Sequence, residues 1–568
     1  MRKKVILRKS CWLAVLASCA ALSLGLAAVP AANAGAAAGI KYGGVLQVVQ
    51  PLGSIVNNFN PLTWDGNDSS TALGTGGLIY EPLFYDNPYT GKITPLLGTA
   101  YKWEDNNLEL VVTTRTGVQW SDGTAFSAAD VAFTFNELKK YPAFDAEGIW
   151  TTPLKSVTAT GPNTVMFSFS SPFTPVFVDL ALQPIVPEHI WSKITDPTKF
   201  TNPNPVGTGP FLLKSLSSFS VSYVKNPHYW MAGRPYLSGV VFTAVKSDTT
   251  CQLAVMNGSA DATDDEITDP NVTFVAKNPA FNHYWWPGYE LNLLYFNTAK
   301  APFSDVAFRK AVALALNTNA IAERAYFGSL PAGNETAVTT GQLSGWVPSS
   351  LKSLEWSYNL SAAKATLAKA GYKVVGGKLE SPSGAVLPTF NILIGGPGWT
   401  DYISIAQTIS AELAPLGIST NVLQDAYATY YSVLETGQYD MAVSWSNNNY
   451  GTPFYEYYAL LSSKASAPMG KTATTNWERF TSPSIDAALN SYAATSNLAV
   501  QKQDMAQIEK IVLTEVPVVS LTVRPNWFDY STRVFTGWPS ASDPYNSGDA
   551  PSTYGGGAEQ LALNLHLK

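Results

Sequence analysis

Residues 113–136 read TTRTGVQWSDGTAFSAADVAFTFN, and this stretch decides the fold. Leu108 to Thr114 alternates in the manner of a half-buried strand. Ser121-Asp122-Gly123 then supplies a turn. Ser127 is placed to cap the first amides of a helix, and Asp130, three residues on, completes a capping box. Val131, Phe133, Phe135 and Leu138 give that helix its apolar side.

The same alternation of strand and helix extends in both directions. Val45 to Val49 follows Lys41-Tyr42-Gly43-Gly44 and reads as the first strand, and Pro51 to Gly77 as loop. Strands are expected at 164–168, 291–296, 390–394 and 518–523. A helix capped by Ser304, with Asp305 in its first turn, is expected to run to Leu316. Further helices are expected at 361–369, at 401–413 after the turn Gly395-Gly396-Pro397-Gly398, and as a pair within 482–513. Pro203 to Pro210 is a Pro/Gly cluster and a candidate crossing between lobes. Strands alternating with helices predict α/β sheets covered by helices.

Composition narrows the function. The chain has 568 residues, of which 46% are hydrophobic, 12% aromatic and 14% charged. Such a chain is not disordered. At about 150 residues per domain it holds three or four core-sized units. Thirty-six Lys and Arg against 42 Asp and Glu give a net charge of −6, which argues against a nucleic-acid partner. The charge is uneven. Arg2, Lys3, Lys4, Arg8 and Lys9 precede 19 uncharged residues, Cys11 to Val29, and then Pro30 and the small-residue site Ala32-Asn33-Ala34. This is the order of a secretory signal. A rival is Leu16-Ala17-Ser18-Cys19, which resembles a lipobox and would tether the exported protein through Cys19. Cleavage after Ala34 would remove five bases and no acid, leaving 31 against 42 and a charge of −11. It would also leave Cys251 as the one cysteine, so no internal disulfide is expected.

Signals for catalysis are near-misses. Gly470-Lys471-Thr472 has the tail of a phosphate loop, but Ala465 stands where its first glycine belongs. Gly207-Thr208-Gly209 is followed by Pro210, which breaks the dinucleotide fingerprint. His189, His228, His283 and His566 show no metal-ligand spacing, and Cys251 reads as a small buried side chain. Asp261, Asp264, Asp265 and Glu266 lack the spacing of a calcium loop and read as a solvated acidic face. No catalytic residue, metal or cofactor is therefore expected. The competing class, a secreted carbohydrate-active enzyme working through two carboxylates, has nothing in the sequence pointing to it.

Arg115, Gly117, Val118, Trp120, Ser121, Asp122, Gly123, Phe126, Asp130 and Val131 resemble the signature stretch of the extracellular solute-binding proteins, family 5, with Ala125 where that family usually has Pro. Further blocks resemble it in the same order: Ile79 to Leu83, Pro184 to Trp191, Pro205 to Phe211, Asn226 to Trp230, Asn297 to Arg309, Tyr358 to Tyr372 and Gln438 to Trp445. The resemblance implies a two-lobed α/β periplasmic-binding-protein fold of the class II type, with a hinge and an extra small domain. One lobe would comprise 41–61, 186–290 and 523–568, the extra domain 62–185, and the second lobe 291–522. It implies an exported, periplasmic or cell-surface receptor, a monomer, that encloses a peptide or an oligosaccharide and delivers it to ABC permease subunits in the membrane.

In peptide-binding members of that family an Asp-rich loop follows the strand ending in Trp and pairs with the peptide ammonium. Here the loop reads Trp445-Ser446-Asn447-Asn448-Asn449-Tyr450, with amides in place of carboxylates. Asn offers both donor and acceptor, which suits a neutral polyhydroxylated ligand. Trp399, Trp445, Asn447, Asn448, Asn449 and Tyr450 are the candidate ligand residues of the second lobe. Phe59, Asn60, Trp64 and Tyr80 are those of the first. Peptide and cellobiose-like sugar both stay open.

Overall fold

The structure is a computed structural model that describes residues 39–63, 74–339, 343, 345–396, 398–446, 451–546 and 556–568. The leader expected at 1–34, Trp64, and Asn447, Asn448, Asn449 and Tyr450 lie outside the described residues.

The signature stretch folds as its residues require. Glu109–Thr114 is a strand and Ala128–Lys140 a helix. The Ser127 hydroxyl accepts from Ala129 N at 3.2 Å, and Asp130 accepts from Ser127 N at 2.9 Å. Asp130 also accepts from Glu188 N at 3.0 Å, so the cap ties the helix to the next block of chain. Ser127→Ala is expected to cost about 1 kcal/mol. Chemical denaturation should read it, and an unchanged midpoint would mean that the cap contributes nothing. The strand lies in a four-stranded sheet with Gly98–Glu104, Thr164–Phe169 and Leu154–Gly161.

Two larger sheets form the centres of the lobes. The first has seven strands in the order Asn282–Tyr284, Asp529–Ser531, Ala262–Thr263, Val45–Gln50, Gly239–Ala244, Ser220–Lys225 and Phe211–Leu216. Val45–Gln50 runs parallel to both its neighbours, so Gln50, Ala244 and Thr263 end on one edge. The second has five strands in the order Thr420–Asp425, Phe390–Gly395, Met441–Trp445, Gly288–Phe296 and Val518–Pro525. Its first three strands are parallel and end together at Asp425, Gly395 and Trp445.

Burial on both faces explains why these strands read as continuous apolar runs. Along Gly288–Phe296, Leu294 and Phe296 enter one core with Ile392, Ile394, Met441 and Val443. The alternate residues Leu291, Leu293 and Tyr295 enter another with Leu393 and Ala442. Buried Arg309 knits this lobe further, its guanidinium donating to the carbonyls of Phe303 at 2.7 Å and Glu515 at 2.6 Å.

Two expectations are corrected. Pro203 to Pro210 does not cross between lobes but packs on the chain at Leu78 and Ile79. A Cβ on Gly207 would fall 1.9 Å from the Ile79 carbonyl oxygen, so only glycine allows that approach. The crossings lie where strands of one sheet give way to strands of the other, at 284–288 and 525–529. Strands Gly288–Phe296 and Val518–Pro525 accordingly run across the boundaries expected at 290/291 and 522/523. The cap of helix Val306–Ala315 is Asp305, not Ser304. Its carboxylate accepts from Ala307 N at 2.9 Å and from the Tyr372 hydroxyl at 3.0 Å.

Side-chain contacts join the four-stranded region to the second lobe. Tyr455 OH donates to Asp179 at 2.7 Å, and Thr174 Oγ1 to the Thr495 carbonyl at 2.9 Å. The Phe173 and Phe454 rings meet edge to face at 6.2 Å.

Candidate functional site

In α/β sheets, ligands bind beyond the carboxyl ends of parallel strands. In the second lobe that edge carries a cluster of rings. Trp445 ends its strand. Trp399 stands at the start of helix Thr400–Leu413, after the glycine turn. Their ring centroids are 5.7 Å apart. Tyr402 lies 5.3 Å from Trp399, Tyr431 lies 5.8 Å from Trp445, and the Arg524 guanidinium sits 5.4 Å from the Trp445 ring. The turn glycines make room for this cluster. A Cβ on Gly396, whose φ is +65°, would come within 2.6 Å of the Trp399 ring. Trp399 and Trp445 are half-buried, and Tyr427 beside them is exposed.

Beneath the rings lies a buried polar network. Asn292 donates to Tyr326 OH at 2.7 Å and to Thr522 Oγ1 at 2.9 Å, and accepts from Tyr402 OH at 2.9 Å. Tyr326 OH donates to Asp401 at 3.0 Å. Arg524 is hydrogen-bonded to Glu290. The network fixes the Tyr402 and Tyr326 rings, and Tyr402 in turn packs against Trp399 and Trp445; a half-exposed aromatic face is what a stacking ligand needs.

The corresponding edge of the first lobe's sheet carries acids that are buried or half-buried, which corrects the solvated-face reading of residues 261–266. Asp261 is buried and accepts from Gln47 N at 2.9 Å. Asp264, accepting from Gln50 at 3.3 Å, and Asp265 and Glu266 are half-buried just past the end of strand Ala262–Thr263. Burial pushes Asp264 up to about 6 and Asp265 up to about 7. Glu266 rises to about 8 through burial, then through the charge of Asp401 in the second lobe. Sequence reasoning singled out these four acids only as a solvated face, and did not pick out Tyr402, Tyr431, Asp401 and Arg524 at all. The signal of the four acids was an acidic run beside a short strand.

Trp399 and Trp445 are thus brought together as expected. Phe59, Asn60 and Tyr80 are brought together elsewhere, in the core of the first lobe. All three are fully buried and tied by neighbours. Asn202 donates to the Phe59 carbonyl at 2.9 Å and to Tyr80 OH at 2.7 Å. Asn60 donates to the carbonyls of Pro197 and Phe200, each at 2.9 Å. Such side chains present no surface to a ligand in this structure. Asn60 instead clamps a loop.

No group of three His, Cys, Asp or Glu side chains among the described residues has the arrangement of a metal site. Burial pushes the Cys251 thiol up to about 12, which removes it as a nucleophile. His189 is paired with Asp122 at 2.7 Å. Among the described residues, no helix is long and apolar enough to cross a membrane.

Residues 92–468 match the model of the bacterial extracellular solute-binding proteins, family 5. The chain is 26% identical to the nickel-binding periplasmic protein of Escherichia coli (strain K12) over 403 residues, 68% of this chain and 72% of that one. Among solved structures it is similar to a periplasmic oligopeptide-binding protein of an oligopeptide ABC transporter from Thermotoga maritima. That match has a TM-score of 0.82 at 27% identity and covers 92% of this chain and 99% of the other. The structure of that Thermotoga protein bound to mannohexaose matches with a TM-score of 0.73 at 27% identity, covering 92% and 98%. Two sheets with parallel strands at their centres, the match to the Thermotoga structure and a family match over most of the chain lead to one conclusion: the protein belongs to the extracellular solute-binding proteins, family 5, and is a substrate-binding protein of an ABC importer.

Proposed function

We propose that this receptor encloses an oligosaccharide between its lobes and delivers it to the permease subunits of its importer. The observation that carries the reading is the half-buried ring pair Trp399–Trp445, held by Tyr402 and Tyr431 at the carboxyl edge of the five-stranded sheet. Apolar sugar faces stack on such rings. Two further facts favour a sugar over a peptide terminus. The loop after Trp445 carries Asn447, Asn448 and Asn449 and no carboxylate. The Thermotoga protein, similar over nearly its whole length, has been crystallised with mannohexaose.

Closure around the ligand is the working step. The ligand touches both lobes in the closed form, so it stabilises that form by the difference in its affinity for the two states. The receptor works as an exported monomer, released by cleavage after Ala34 or tethered through Cys19. Residues 41–61, 186–290 and 523–568 make one lobe, 62–185 the extra domain and 291–522 the other lobe, give or take the strand ends noted above.

Titration calorimetry against mannohexaose, cellohexaose and di- to pentapeptides tests the ligand class. At least one hexasaccharide is expected to bind with micromolar or tighter affinity, without turnover. Binding of the peptides alone would overturn the oligosaccharide reading, and release of shorter sugars would favour a carbohydrate-active enzyme.

A further inference from the structure

A guanidinium stands beside the ring platform. Arg524 and Glu290 are opposite one another on the paired strands Val518–Pro525 and Gly288–Phe296, and their side chains are hydrogen-bonded. The guanidinium lies 5.4 Å from the Trp445 ring centroid, within the range of a cation–π contact, where Trp445 meets Trp399. Among the described residues, Glu290 is its one ion-pair partner. That contact uses Nη1. Nε and Nη2 have no hydrogen-bond partner among the described residues, and neither is a buried orphan, so both are open to solvent. The Arg524 side chain is 33% exposed and that of Glu290 13%. The acid is covered, and the base reaches out beside the indole.

A guanidinium left unpaired in such a place would be a carboxylate site, because its fork matches a carboxylate bidentately. Glu290 changes that. It occupies one arm of the fork and matches its charge, so a ligand carboxylate would meet Glu290 together with Arg524. The remaining N–H groups can still donate to hydroxyl oxygens, which bring no charge. A hydrogen bond from a charged donor is stronger than one between neutral groups, so hydroxyls gain from Arg524 what an acid loses to Glu290. Specificity of this kind comes from the repulsive element as much as from the attractive one.

We propose that the Glu290–Arg524 pair sets the charge specificity of the receptor: Arg524 donates to hydroxyls of the unit stacked on Trp445, and Glu290 excludes acidic ligands. The inference rests on the reading of Trp399 and Trp445 as an oligosaccharide platform, and it narrows the ligand to an uncharged sugar rather than a uronate.

The test is calorimetry on the whole chain with two pairs of probes: mannohexaose and a mannuronic acid hexamer, and a pentapeptide amide and the same pentapeptide with a free C-terminal carboxylate. The parent is expected to bind the neutral member of a pair at least about tenfold tighter than the acidic one. Glu290→Gln should shift that ratio at least about tenfold toward the acid, because the amide still accepts from Arg524 but carries no charge. Arg524→Gln should weaken the neutral member about tenfold and, combined with Glu290→Gln, should abolish the shift. Unfolding curves check that the variants keep the fold. A pair that only ties two strands together would lower both affinities alike. A ratio unchanged by Glu290→Gln in every pair that binds would therefore overturn the inference. Mannohexaose binding with such an unchanged ratio would leave the oligosaccharide reading standing. Binding of the peptides alone would overturn that reading, while the shift within the peptide pair would still support Glu290 and Arg524 as the charge filter.

Discussion

Trp445→Ala is expected to weaken oligosaccharide binding by about fiftyfold while leaving the fold intact. A sugar ring covering about 100 Å² of indole face is worth about 2.5 kcal/mol at about 25 cal/mol per Å², and about 1.4 kcal/mol makes a factor of ten. The loss is compounded because Trp445 steadies its neighbours, with Trp399 at 5.7 Å and Tyr431 at 5.8 Å. Removing it frees rings that must be ordered again on binding. Trp445→Phe should retain most of the affinity, since a smaller ring still offers a face. Both variants should melt close to the parent, because Trp445 is only half-buried at the end of its strand. If Trp445→Ala binds mannohexaose or cellohexaose as tightly as the parent does, the ring cluster is not the sugar platform.

The second large effect concerns pH. Glu81, in the Ile79 to Leu83 block, and Glu559, in the C-terminal helix Gly557–Asn564, are both fully buried. Tyr229 OH lies 3.0 Å from an oxygen of each. One phenol proton cannot serve two carboxylates, so the second contact requires a proton on a carboxyl. Trp230 Nε1 adds a bond to Glu81 at 2.8 Å. Burial pushes Glu81 up to about 7. Burial, and then the charge of Glu81, pushes Glu559 well above the usual range. The folded state therefore holds the proton more tightly than the unfolded chain does. That stabilisation is complete below about pH 4.5 and is lost as pH rises through about 7. For Glu81 alone, the shift from 4.5 to about 7 corresponds to about 3 kcal/mol.

Melting temperature is accordingly expected to fall by several degrees between pH 5 and 8. Glu509, which burial pushes up to about 8, acts in the same direction. Glu559→Gln should flatten part of the slope, because an amide donates a hydrogen at every pH. Differential scanning calorimetry across that range reads both. A melting temperature that climbs with pH, or a variant with the parent's slope, would show that the pair holds no proton.

The signature stretch was legible because its signals are local. A capping box, a turn and an apolar stripe act within a few residues, and Ser127, Asp130 and the helix Ala128–Lys140 form as those residues require. The strands expected at 291–296 and 390–394 were legible because burial on both faces leaves an apolar run, and the strand ending at Trp445 through the family resemblance. Trp399 and Trp445 were placed by their positions at strand ends. Local rules failed where two choices were locally equal. Ser304 and Asp305 can each cap a helix, and the tertiary contact with Tyr372 accompanies the choice of Asp305. Pro203 to Pro210 looks like a linker because Pro and Gly mark turns, yet its glycines serve a close approach to Ile79.

By itself, the sequence determined the α/β class, the order of most strands and helices, the family, and the pair of tryptophans at one edge. All of these rest on interactions between residues near in the chain, or on blocks in a fixed order. Tertiary structure decided which acids are buried. Asp264, Asp265 and Glu266 look like a solvated run until strand Asp529–Ser531 pairs with Ala262–Thr263 beside them. Burial is a property of what packs against a residue, and here the paired strand lies more than two hundred residues away. The same reason buried Phe59, Asn60 and Tyr80, and brought Glu81 and Glu559 together at Tyr229.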